Sequence, residues 1–105
     1  MNITLQTVNF KKSKKLTTFI NSKVGKLFKQ NPEIIRADVS LKEGAANNLT
    51  NKWCSLYISH AGENEFVKKS STSYEESILL ATEAMEKILR RRKTKMVNKR
   101  NDPKK

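Results

Sequence analysis

Between Ile35 and Lys42 every second residue is apolar: Ile35, Ala37, Val39 and Leu41 alternate with Arg36, Asp38, Ser40 and Lys42. Successive side chains of a β-strand point to opposite faces, so this run presents one face to a core and the other to water. Trp53 to His60 repeats the pattern, with Cys54, Leu56 and Ile58 on one side and Trp53, Ser55, Tyr57 and Ser59 on the other. At the start of the chain Ile3 and Leu5 alternate with Asn2, Thr4 and Gln6. A sheet built from such strands has one dry face, and a second layer must cover it.

Two helical patterns supply that layer. From about Lys12 to Lys29 the apolar positions Leu16, Ile20, Val24 and Leu27 recur at helical spacing, with Phe28 at the edge of the stripe. At roughly 100° per residue, Lys12, Lys15, Lys23, Lys26 and Lys29 fall on a neighbouring face. Asn31-Pro32 ends this helix, because a residue before proline disfavours the helical region. Ser73-Tyr74-Glu75-Glu76 fits a capping box: Ser73 accepts from the first turn while Glu76 reaches back, and both acids suit the positive helix end. Behind it Tyr74, Ile78, Ala81, Met85, Ile88 and Leu89 form a buried stripe whose next step is Arg92. Past Leu89 basic residues point in every direction, so the last turns overhang the sheet.

Turn chemistry completes the order. The segment GAANNLTN is a polar loop after a strand ending at Gly44, and AGEN, a four-residue connection containing Gly62, leads to a fourth strand from Glu65 to Ser71. The expected fold class is α+β, in the order β-α-β-β-β-α: an antiparallel four-stranded sheet with two helices packed on one face. Residues 1–95 form one domain, and residues 96–105 form a basic, disordered tail.

Charge narrows the function classes. The 105 residues carry 22 Lys+Arg against 10 Asp+Glu, a net charge of +12. Self-repulsion on that scale calls for an anionic partner, with nucleic acid first. A membrane surface fits less well, since the basic helices carry few Trp and Phe anchors and no apolar run approaches the roughly 20 residues of a span. No secretory signal is visible, and the single cysteine, Cys54, cannot form an internal disulfide, so a cytoplasmic location is expected.

Catalytic readings are weaker. His60 and Cys54 are the only soft ligands, too few for a metal site, and Cys54 falls on the core side of its strand. His60, at a strand end beside a turn, reads as a turn or surface residue. Glu75-Glu76 reads as a cap, and Glu83 and Glu86 as a solvated helix face. No phosphate-cradling glycine loop is present. The chain is therefore expected not to be an enzyme, and no cofactor, metal or small-molecule substrate is expected. Trp53 and Tyr57, on the outer face of the third strand, either cover the open side of the sheet or contact RNA or a partner.

The strand-helix-strand-strand-strand-helix order, the basic segment Lys23-Val24-Gly25-Lys26-Leu27, the hairpin WCSLYISHAGENEFVKKSS, and SYEESI opening a helix that ends RRRKTK resemble the ribosome hibernation promoting factors. These are also called ribosome-associated inhibitors or subunit-interface proteins. The resemblance covers about residues 1 to 95. It implies a fold similar to a double-stranded-RNA-binding domain that lodges in the small ribosomal subunit where messenger and transfer RNAs sit. There it contacts ribosomal RNA through basic helix residues, inhibits translation during stress or stationary phase, and protects idle ribosomes. Carried over by position, the contacts on the first helix are Lys23, Lys26 and Lys29. On the second they are Lys87, Arg91 and Lys95, with Arg90, Arg92 and Lys93 adding charge particular to this chain; Lys12 and Lys15 are candidates for additional contacts. Long members carry a second domain that pairs ribosomes. The chain resembles the short type, in which ribosome pairing would need a separate partner protein.

Two other readings compete. A general structured-RNA binder or RNA chaperone would show no ribosome preference. A protein-interaction module would use the basic face to meet an acidic protein, and its contacts would survive nuclease treatment.

Overall fold

The computed structural model describes residues 2–8, 13–47, 49–60 and 63–100, with side chains described through Arg91. Six elements follow the expected order: β1 (Ile3–Val8), α1 (Lys14–Gln30), β2 (Ile34–Glu43), β3 (Lys52–His60), β4 (Glu63–Ser71) and α2 (Tyr74–Arg100). The strands lie side by side in sequence order.

Pairing direction corrects one expectation. The β2–β3 and β3–β4 ladders are antiparallel, but β1 runs parallel to β2, with Ile3 opposite Ala37 and Leu5 opposite Val39. The reason is the connection: α1 carries the chain back along the sheet between the two strands, and a crossover of that length delivers the next strand in the same direction. The sheet is therefore mixed.

Both helices cover one face. Ile20, Val24 and Leu27 of α1 and Ile78, Ala81, Met85 and Leu89 of α2 are buried against Ala37, Val39 and Leu41 of β2 and Cys54, Leu56 and Ile58 of β3. Burial pushes the Cys54 thiol up to about 12, so the reactive thiolate is scarce at neutral pH. Leu41 is fully buried in a central strand. Leu41→Ala should cost about 3 kcal/mol, the transfer term plus the cavity left behind. Urea unfolding followed by circular dichroism measures this; a loss below about 1 kcal/mol would mean the core collapses around the site.

Local chemistry sets the element boundaries. Ser13 has extended backbone and its Oγ accepts from the Leu16 N–H at 3.0 Å, so α1 starts at Lys14 rather than near Lys12. Lys12 lies outside the described residues. At α2, Ser73 Oγ accepts from the Glu76 N–H at 3.1 Å, as expected. Among the described hydrogen bonds the Glu76 carboxylate does not close the box; it accepts from the Ser71 and Thr72 hydroxyls and ties the end of β4 to the first turn. On the far side of the sheet's loop, the Gly44 N–H donates to the Asn51 carbonyl at 2.7 Å. A Cβ at Gly44 would stand 3.0 Å from Trp53 Nε1, so a larger residue there would require the indole to shift by a few tenths of an ångström.

Four further readings are revised. Ile34, not Ile35, enters the core: the β2–β3 register shifts between Ile34 and Arg36, leaving Ile35 59% exposed. A bulge adds one residue to the count and reverses the faces beyond it. His60 is buried rather than on the surface, with Nε2 3.8 Å from the Glu65 carboxylate, because it continues the inward series of Cys54, Leu56 and Ile58 to the strand's last residue. β4 begins at Glu63, paired with His60, so the connection is two residues shorter than expected. Finally, α2 continues helically through Arg100 into the segment expected as tail. Met, Lys and Arg are good helix formers, and the next proline is Pro103.

Candidate nucleic-acid interface

α1 and α2 lie side by side on the sheet, and the groove between their outer flanks holds the charge. Lys23, Lys26 and Leu27 line it from α1; Leu79, Thr82, Glu83 and Glu86 line it from α2. A shallow depression continues past Gln30 and Asn31 to Glu86 and Arg90. Stripe geometry explains this: Leu79, Glu83, Glu86 and Arg90 are three or four residues apart and share a side of α2 next to its buried stripe. Lys26 and Arg90 are exposed, while Lys23 is half-buried and lays its ammonium 5.5 Å from the Phe19 ring centroid.

The expected basic residues do not form one surface. Lys23, Lys26 and Arg90 converge on the groove, whereas Lys87 and Arg91, four residues apart, run along the outward side of α2 and are exposed. Lys29 stands exposed in the last turn of α1, where a cation also suits the negative helix end. Lys15 is exposed with its ammonium 3.7 Å from the Glu75 carboxylate, a surface pair worth little energy. Arg92, Lys93 and Lys95 lie on the helical backbone of α2, and their side chains are outside the described residues.

The two groove carboxylates were missed in the sequence as part of the site. Glu83 and Glu86 face the α1 lysines rather than bulk water alone. The signal was present in their spacing from Leu79 and Arg90, but only helix–helix packing shows which flank of α2 meets α1.

The arrangement suits phosphate contact more than chemistry on a substrate. Lysine and arginine on helix surfaces position a protein on a nucleic-acid backbone and read shape and charge. Among the described side chains the last of α2 in the core is Leu89, and eleven helical residues follow it, a length of roughly 16 Å. The molecule accordingly measures 55 × 27 × 18 Å. Among the described residues no group of three or more His, Cys, Asp or Glu side chains could hold a metal ion, and no helix is long and apolar enough to cross a membrane.

The chain is thus a small α+β domain with a mixed four-stranded sheet, one helical layer and a strongly basic helix end. The sequence model of one family, described as sigma 54 modulation protein / S30EA ribosomal protein, matches residues 3–97, and the chain belongs to that family. It is the ribosome-associated hibernation family that the residues resemble. Solved structures share the fold, and two of them are instructive. One is a ribosomal subunit interface protein from Coxiella burnetii, 17% identical, with a TM-score of 0.78 over 90% of this chain and 99% of that one. The other is the N-terminal domain of Thermus thermophilus Protein Y, 18% identical, with a TM-score of 0.74 over 87% of this chain and 98% of that one. No curated protein sequence matches the chain.

Proposed function

We propose that this protein is a ribosome hibernation factor that occupies the messenger and transfer RNA channel of the small subunit. It inhibits translation there and protects idle ribosomes in the cytoplasm. The observation that supports this most is the division of labour along α2, which is core-forming to Leu89 and carries Arg90, Arg91, Arg92, Lys93 and Lys95 beyond it. A helix that anchors a domain by one half can hold out a charged half for a groove in folded RNA. Lys23, Lys26 and Lys29 on α1 and Lys87 on the outward side of α2 extend the contact to two flanks of the helical layer, with Lys12 and Lys15 as further contacts.

Occupancy, not catalysis, is the mechanism. A rigid α+β body seated where messenger and transfer RNA bind excludes both sterically, and its affinity comes from released counterions. Residues 1–95 act as the binding domain and residues 96–105 as a basic extension. Any pairing of ribosomes would fall to a separate partner.

The test is cosedimentation of the pure protein with small ribosomal subunits across a salt series, with and without saturating transfer RNA. Saturable one-to-one binding that transfer RNA displaces is the expected result. Binding that neither saturates nor competes would leave the general structured-RNA reading in its place.

A further inference from the structure

The face of the sheet away from the helices is not a plain solvated surface. Tyr57 of β3 and Phe66 of β4 stand directly opposite each other in the ladder, and both are left open, at 36% and 57% exposure. Directly opposed side chains of an antiparallel pair are about 5 Å apart at Cβ, so the two rings form one continuous aromatic step. Their neighbours on this face, among them Ser40, Ser55 and Ser59, are too short to wall the rings in. A shallow depression runs from the rings past Arg36 and Asp38 to Thr4 and Gln6 on the edge strand. Bare aromatic rings are costly to leave in water, and among the described residues nothing covers these two.

The charges on this face favour an anion. Arg36, Lys42 and Lys68 point to it from β2 and β4, and the ammonium of Lys68 lies 4.9 Å from the Trp53 ring centroid. The opposing carboxylate is Asp38, which pairs with Arg36, so the surplus positive charge of this face comes from Lys42 and Lys68. The Arg36 guanidinium donates to it through Nε and Nη2 at 3.1 Å, and the Thr4 hydroxyl donates to it as well. A second copy of the chain is a poor occupant. Two such faces would bring like charges together, and two rings among hydroxyls fall short of the apolar centre that a standard interface of about 800 Å² per partner needs. Flat rings with short hydroxyl neighbours and adjacent cations match the unpaired bases and phosphates of single-stranded RNA.

We infer that the open face of the sheet is a second RNA site, taking a single-stranded segment whose bases stack on Tyr57 and Phe66 and whose phosphates pass Lys42 and Lys68. It lies across the sheet from the α1–α2 groove, so it neither uses the helix-borne contacts nor depends on the hibernation reading. Bound to folded RNA by its helices, the domain would hold a strand on its other side.

Trp53 is the only tryptophan and shares this face, which makes it the reporter. The full chain is titrated at low salt with ten-nucleotide oligouridylate, and separately with its duplex with oligoadenylate. Saturable quenching of Trp53 by the single strand, and little by the duplex, is expected. Tyr57→Leu and Phe66→Leu keep apolar bulk without a ring face, and each should weaken binding about tenfold, the scale of one stacked base. Tyr57→Phe keeps the ring and should bind as the parent does. Asn21→Ala, an exposed neutral position on α1 across the sheet, should leave the titration unchanged. Melting curves confirm that each variant is folded. Absence of quenching, equal quenching by the duplex, parent-like binding by both leucine variants, or loss in Tyr57→Phe or Asn21→Ala would each overturn the site.

Discussion

Replacing Lys26 and Arg91 together by glutamate should lower affinity for small ribosomal subunits on the order of a hundredfold near 0.15 M salt, and should flatten the salt dependence. The estimate follows from counterion release. With a slope near −0.9 per phosphate contact, each contact contributes about 0.7 log units at that salt, so losing two costs roughly thirtyfold, and new repulsion adds the rest. Each reversal alone should give roughly the square root of the double effect, since the two residues lie on different helices and on different sides of the charged surface. Both side chains are exposed, so the fold should hold, with stability changed by no more than about 0.5 kcal/mol. Cosedimentation gives the affinity and its salt slope, and a melting curve verifies the fold. A double variant that binds like the parent would remove both the groove and the outer stripe of α2 from the interface.

Glu83 and Glu86 affect how that result is interpreted. They share the groove with Lys23 and Lys26, so the groove is less positive than the lysines alone suggest. A phosphate entering there meets two carboxylates as well as two ammonium groups. On the outer side of α2, Glu83 stands one turn before Lys87, but Arg91 lies a further turn away from it. Of the two single reversals, Arg91→Glu should therefore cost more.

The legible parts of this chain were those in which one periodicity maps onto one face. Ala37, Val39 and Leu41, like Cys54, Leu56 and Ile58, alternate without interruption and are buried as the alternation requires. Ile20, Val24 and Leu27, and Ile78, Ala81 and Met85, follow helical spacing into the same core. Reading failed where a single residue changed the count. The bulge at Ile35 leaves composition and propensity untouched yet puts Ile34 inside. His60 was legible by parity with Ile58 and was lost by treating a strand end as a turn. The direction of β1 depends on how α1 crosses the sheet, which periodicity within β1 does not encode. The site divides in the same way. The azimuth of each lysine on its helix could be read, but whether Lys23 faces Glu83, or Tyr57 faces Phe66, is set by packing and register between elements distant in sequence.

Ending the chain after Arg91 should separate folding from binding most sharply. Among the described side chains the last buried one of α2 is Leu89, and the core built from them is complete without residues 92–105. The shortened helix retains Arg90 and Arg91 in its last turn, where cations suit the negative end of the dipole. Stability should fall by less than about 1 kcal/mol, mainly through fraying of the new end. The deletion nevertheless removes seven Lys and Arg residues and one Asp, which is half of the net charge of +12. If four of those cations meet phosphates, counterion release alone predicts a loss of two to three orders of magnitude in affinity near 0.15 M salt, with a slope shallower by about four. The transfer-RNA-displaceable part of binding is the quantity to follow, because it isolates the specific site from general attraction between a basic protein and RNA. A truncated chain that stays folded and still competes with transfer RNA at full strength would show the helix overhang to be a solvated extension, and would place the interface on α1, the groove and the outer stripe ending at Arg91.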